Sequence, residues 1–79
     1  MQSDRARKTA DAIVDDLRGA AYYKDPQVLG TFLQTQFGGS PERAFEVAAA
    51  VVDDLRGAAY YSNAELLADV LDESFREPD

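Results

Sequence analysis

The chain has no cysteine and no histidine. The first absence excludes disulfides and thiolate metal sites. The second removes imidazole catalysis and the commonest zinc ligand. No serine sits in a nucleophile motif. Gly38-Gly39-Ser40 is too short for a phosphate-cradling loop and lacks its lysine. Catalytic, cofactor-binding and metal-binding roles are therefore assigned to no residue, and the chain is expected not to be an enzyme. Long hydrophobic runs are missing too. The longest aliphatic stretch, Val47 to Val52, is far below the ~20 residues that cross a bilayer. A soluble, cytoplasmic protein with no membrane partner is the expectation.

Basic residues are scarce. Eight Lys and Arg stand against fifteen Asp and Glu, for a net charge of −7 over 79 residues. The imbalance is local. Residues 1–41 hold five acids and five bases, whereas residues 42–79 hold ten acids and three bases. The whole of the −7 belongs to the second half. Such a surface disfavours direct binding to nucleic acid or anionic lipid and favours a partner with a basic surface. A charge of this size also serves plain solubility.

A repeat dominates what remains. Val14-Asp15-Asp16-Leu17-Arg18-Gly19-Ala20-Ala21-Tyr22-Tyr23 recurs letter for letter as Val52 to Tyr61, 38 residues on. Arg5 aligns with Arg43, Ala6 with Ala44, Leu29 with Leu67, Leu33 with Leu71 and Phe37 with Phe75. The chain reads as one domain over residues 1–79, with repeats at about 4–37 and 42–75 and a tail at 76–79.

Each repeat reads as two helices. Apolar residues at 6, 10, 13, 17 and 20, and at 44, 48, 51, 55 and 58, recur at steps of four and three on one helical face. The second helices carry Val28, Leu29, Phe32, Leu33 and Phe37, or Leu66, Leu67, Val70, Leu71 and Phe75. Asp25-Pro26 and Ser40-Pro41 each supply an N-cap followed by proline at the first helical position. Asn63 is a third N-cap, and Ser62 with Glu65 offers a capping box. Gly38-Gly39 supplies left-handed residues that stop a helix. Gly19 and Gly57 have two readings: each ends the first helix, or the helix runs on to Tyr22 or Tyr60. The stripe continuing through Ala20 and Ala58 favours the longer helix. The expected fold is all-α: four short helices as two tandem αα-hairpins in a compact pseudo-twofold bundle, since open solenoids generally need at least three repeats.

The candidate contact residues follow from this layout. Tyr22, Tyr23, Tyr60 and Tyr61 lie just past the core stripe. Tyrosine is enriched at binding hot spots because its ring is apolar and its hydroxyl polar. One of each pair is expected to close the core and the other to face solvent. Asp15, Asp16, Asp53 and Asp54 surround them, with Asp15–Arg18 and Asp53–Arg56 as i,i+3 ion pairs. Adjacent helical carboxylates diverge, so each aspartate pair is a poor metal chelate by itself. On the last helix Glu65, Asp69, Asp72 and Glu73 stand where the first repeat has Gln27, Thr31, Gln34 and Thr35. At about 6 Å per i,i+4 step such a row imitates a run of phosphates, or forms an ordinary solvated face in which Asp72 also pairs with Arg76.

Three functions fit. The first is a small acidic module that binds another protein through helix surfaces. The second is an inhibitor of a basic nucleic-acid-binding protein, of the nucleic-acid-mimic, anti-defence or antitoxin type. The third is a self-assembling subunit, a homodimer through the neutral Gln27, Thr31, Gln34 and Thr35 face. A helix-turn-helix DNA reader ranks below these because its recognition helix should be basic, and here only Arg5, Arg7 and Lys8 cluster. The match of Asp15, Asp16 and Arg18 to Asp53, Asp54 and Arg56 within the ten-residue identity has two explanations: a surface used in both copies, or recent recombination.

Overall fold

The caps read from the sequence place three of the four helix starts. In the computed structural model, which describes residues 4–75, α1 spans Asp4–Arg18, α2 Pro26–Phe37, α3 Pro41–Arg56 and α4 Ala64–Ser74. Single 3-10 turns at Tyr22–Lys24 and Tyr60–Ser62 precede α2 and α4. No strand occurs among the described residues. The Asp25 carboxylate accepts the Gln27 N–H at 2.9 Å. Ser40 Oγ accepts from the N–H groups of Glu42 and Arg43, and Asn63 Oδ1 from those of Glu65 and Leu66. Each satisfies donors that a helix N-terminus leaves open. The Ser62–Glu65 capping box does not form. Ser62 instead donates to the Ala59 carbonyl at 2.7 Å, because Asn63 already occupies the cap.

Helices α1 and α3 end earlier than the stripe suggests, at Arg18 and Arg56. Ala20 and Ala58 are exposed, not part of the core face. The chain instead turns through Ala21 and Ala59, which take the left-handed conformation at φ 59° and 57°. A left-handed alanine costs roughly 1–2 kcal/mol, so the loop must hold it there.

Between α2 and α3 the turn is made by Gly38 and Gly39, both at positive φ, 71° and 73°. Glycine adopts this region without a Cβ penalty. Gln34 Nε2 donates to the Gly39 carbonyl at 2.8 Å and fastens the turn. The two helices then pack closely: a Cβ on Gly30 would sit 3.4 Å from the Phe45 Cα.

Which helices meet is the main departure from the expected hairpins. The largest contacts join α2 to α3 and α1 to α4, while α1 and α2 touch little. Each half thus lays its first helix on the second helix of the other half. The core lies between these pairs. Ala6, Ala10 and Ile13 from α1, Leu29 and Leu33 from α2, Ala48 and Val51 from α3, and Leu67 and Leu71 from α4 are fully buried. Phe37 and Phe75, at the ends of α2 and α4, stack with centroids 4.5 Å apart. The radius of gyration, 11.3 Å, is close to the ~12 Å of a compact chain of this length. Val28 and Leu66, placed by the periodicity on the apolar faces, are instead exposed at 42% and 43%. The buried stripe of each second helix is narrower than its apolar composition.

Candidate functional site

The ten-residue segments build two loops whose bonds match residue by residue. In the first, the Asp16 carbonyl accepts the N–H groups of Gly19 and Ala21 at 2.9 and 2.8 Å. The Asp16 carboxylate reaches over the turn and accepts the Tyr23 N–H at 2.9 Å. In the second, the Asp54 carbonyl accepts from Gly57 and Ala59 at 3.0 and 2.8 Å, and the Asp54 carboxylate accepts the Tyr61 N–H at 2.9 Å. Asp16 and Asp54 are therefore loop-fastening residues. This also gives a physical reason for their identity in both halves, one that neither a shared ligand nor recombination is needed to supply. An acid in the last turn of a helix faces the negative end of the helix dipole. Here a charge-assisted hydrogen bond compensates for that placement.

The tyrosine pairs divide as expected. Tyr23 and Tyr61 pack against the core, whereas Tyr22 and Tyr60 are 69% and 64% exposed. The Tyr23 ring stacks on Phe32 with centroids 4.6 Å apart. Its phenol is pushed above the ordinary value, first by partial burial and then by the nearby Asp16 carboxylate. Asp15 and Asp53 remain exposed. Among the described residues neither forms an ion pair with Arg18 or Arg56; the i,i+4 pair Arg7–Asp11 forms instead, at 3.4 Å. Asp11, Asp15 and Arg18 line a broad groove that faces Asn63 across the gap between α1 and the start of α4. The structure thus sets Asp15 opposite the second loop.

On α4, Glu65, Asp69 and Glu73 are exposed and Asp72 is half-buried. Glu65, Asp69 and Asp72 each have an interaction partner, so part of this charge is locally engaged. Arg76, the expected partner of Asp72, and the 76–79 tail lie outside the described residues. The equivalent α2 face is neutral and partly turned inward on itself: the Thr31 and Thr35 hydroxyls donate to the carbonyls of Gln27 and Thr31, both at 3.0 Å. Among the described residues no group of three or more acids is placed to hold a metal ion. No helix there is long and apolar enough to cross a membrane.

Two surface features escaped the sequence reading. Phe45 is 49% exposed beside the α2–α3 contact. Its aromatic character was the available signal, but it lies off the apolar stripe of α3. The second is a recess of about 170 Å³ between α3 and α4, lined by Glu46, Val47, Ala50, Tyr61, Val70 and Ser74. Comparison with known protein families, curated proteins and solved structures finds no match to this chain.

Proposed function

We infer that the protein is a small, acidic, non-enzymatic module that binds another protein, one with a basic surface, through its helix and loop surfaces. The observation that carries this reading is the pair of exposed tyrosines, Tyr22 and Tyr60, each on a loop fastened by an aspartate carboxylate, on a surface where Asp15 and Asp53 are also exposed. A rigid aromatic ring loses little conformational freedom on binding, and a charged rim adds steering and specificity. Asp16, Asp54, Tyr23 and Tyr61 support these contacts from beneath. The matched bonds of the two loops favour a pseudo-twofold pairing of the halves, which would present the tyrosine sites twice on one molecule. The test is affinity capture from the source organism with the wild-type chain and with Tyr22→Ala/Tyr60→Ala. A partner retained by the first and lost by the second is expected. Equal capture by both would sink the tyrosine surface as the contact.

The acid row favours a narrower second reading. Glu65, Asp69 and Glu73 are exposed along α4 in the half that carries the −7. That supports an inhibitor occupying the basic groove of a nucleic-acid-binding protein. Binding would then weaken steeply with salt and compete with DNA or RNA. Glu65→Gln/Asp69→Asn/Asp72→Asn/Glu73→Gln would abolish the competition, and undiminished competition would exclude this reading. A homodimer through Gln27, Thr31, Gln34 and Thr35 is the remaining alternative; a monomer in sedimentation at high micromolar concentration would remove it.

A further inference from the structure

The residues that line the recess between α3 and α4 have sequence counterparts 38 positions earlier, and the two sets differ in one direction. Positions 38 residues apart pair Lys8 with Glu46, Thr9 with Val47, Phe32 with Val70 and Gln36 with Ser74, while Ala12 matches Ala50 and Tyr23 matches Tyr61. Every change makes the second site roomier, more apolar or more acidic. In the first half, the Phe32 ring lies stacked on Tyr23, 4.6 Å between centroids and 13° between planes. In the second half a valine stands at that position, and an apolar recess of about 170 Å³ opens beside Tyr61. An apolar cavity of about 150 Å³ holds one benzene molecule, so a single phenyl ring fits the space.

We propose that this recess receives one aromatic side chain from a basic segment of a partner protein, stacked on Tyr61 as Phe32 stacks on Tyr23. The first half supplies the template for the ring, since its own phenylalanine, Phe32, stacks on the tyrosine that corresponds to Tyr61. The charge supplies the rest of the partner's chemistry. Glu46 stands at the rim where the first half has Lys8, and the second half carries the whole net charge of −7. An aromatic anchor in a pocket with complementary charge around it is the usual form of a binding hot spot. The proposal rests on the reading of the protein as an interaction module and names a contact separate from Tyr22 and Tyr60.

The probe is an amidated pentapeptide with one phenylalanine flanked on each side by two lysines, compared with the same peptide carrying alanine at the centre. In an NMR titration of the whole chain, the phenylalanine peptide should shift the amide signals of Val47, Ala50, Tyr61 and Val70. The alanine peptide should bind roughly tenfold more weakly, the scale of one aromatic contact with its burial. Val70→Phe fills the recess from within and should erase the difference between the peptides while leaving the circular dichroism spectrum unchanged. Glu46→Lys, an exposed change that does not test folding, should weaken the phenylalanine peptide several-fold. Equal binding of the two peptides, or a preference that survives Val70→Phe, overturns the proposal. So does a concentration-dependent dimer that Val70→Phe disrupts, which would make the occupant a second copy of the chain. The two readings fail separately. Partner capture that is indifferent to Val70→Phe, with no peptide preference, removes the recess alone; a preserved peptide preference with no captured partner removes the module reading.

Discussion

Replacing Asp54 by alanine takes away the carboxylate that holds the Tyr61 N–H at 2.9 Å. The lost contact is a hydrogen bond to a charged group in a partly buried loop, worth about 1.5–3 kcal/mol net. The Asp54 carbonyl, which the substitution keeps, still accepts the Ala59 N–H at 2.8 Å, so the left-handed turn at Ala59 stays in place and the loss is that of the carboxylate bond. For a domain of this size each kcal/mol moves the midpoint by about 4–8 °C. Asp54→Ala should therefore lower Tm by about 6 to 24 °C. Asp54→Asn keeps an acceptor but not the charge, and charge-assisted bonds are roughly twice as strong as neutral ones, so it should fall about midway. Asp53→Ala is the control. Asp53 is exposed and lies one residue away in the same helix turn, where its charge opposes the helix dipole; removing it should leave Tm within about 3 °C or raise it slightly. Asp16→Ala and Asp15→Ala should repeat the contrast in the first loop. The assay is thermal unfolding followed by circular dichroism at 222 nm, at fixed protein concentration and pH 7. Equal midpoints for Asp54→Ala and Asp53→Ala would refute the assignment of Asp54 as a loop fastener and return both acids to the solvated surface.

Other variants test the same architecture. Ala21→Gly and Ala59→Gly relieve left-handed alanines at φ 59° and 57°; against the extra flexibility of glycine, each should gain about 0.5–1 kcal/mol, and a lower Tm for both would contradict the loop conformation. Leu33→Ala and Leu71→Ala each empty a fully buried site and should cost about 2–5 kcal/mol in urea unfolding; a loss below 1 kcal/mol would be incompatible with the core. The raised pKa of Tyr23 has a pH consequence with a definite sign. Its folded value exceeds the unfolded one, so the stabilising contribution is complete below about pH 10 and is lost as pH rises through the folded value. Tyr23→Phe should keep the stack on Phe32 and fall less in Tm between pH 9.5 and 11 than the wild type does; parallel declines would assign the alkaline loss to other groups.

Helix number and most helix starts were legible because caps and periodicity are local. Asp25-Pro26, Ser40-Pro41 and Asn63 announce their helices in two or three residues, and Leu29, Leu33, Leu67 and Leu71 sit on the buried stripe as their spacing implies. The ends of α1 and α3 were not legible. Ala20 and Ala58 extend an apolar pattern, but alanine carries too little surface to hold a helix open to solvent, and the Asp16 and Asp54 bonds that stop it reach seven residues along the chain, a distance with no periodic signature. Helix pairing was hidden for a related reason. Two amphipathic stripes can close on each other or on the equivalent stripes of the other half, and composition does not distinguish the two. At the candidate surface, the split between core and exposed tyrosines followed from their place beyond the stripe, whereas the recess emerged only when Phe32 and Val70 could be compared in space.

The crossed pairing of helices makes neither half self-sufficient. Cleavage after Gly39, exposed in the turn between α2 and α3, would yield two pieces whose own helices have little to bury against each other, since each apolar face is completed by the other piece. Such fragments should be unstructured apart and fold on mixing, with equal molar amounts giving the full helical signal. The same arrangement lets an opened turn reconnect with a neighbouring molecule at little conformational cost, so strain or shortening at residues 38–40 is the point from which strand-exchange-like swapping of whole helix pairs between chains would begin.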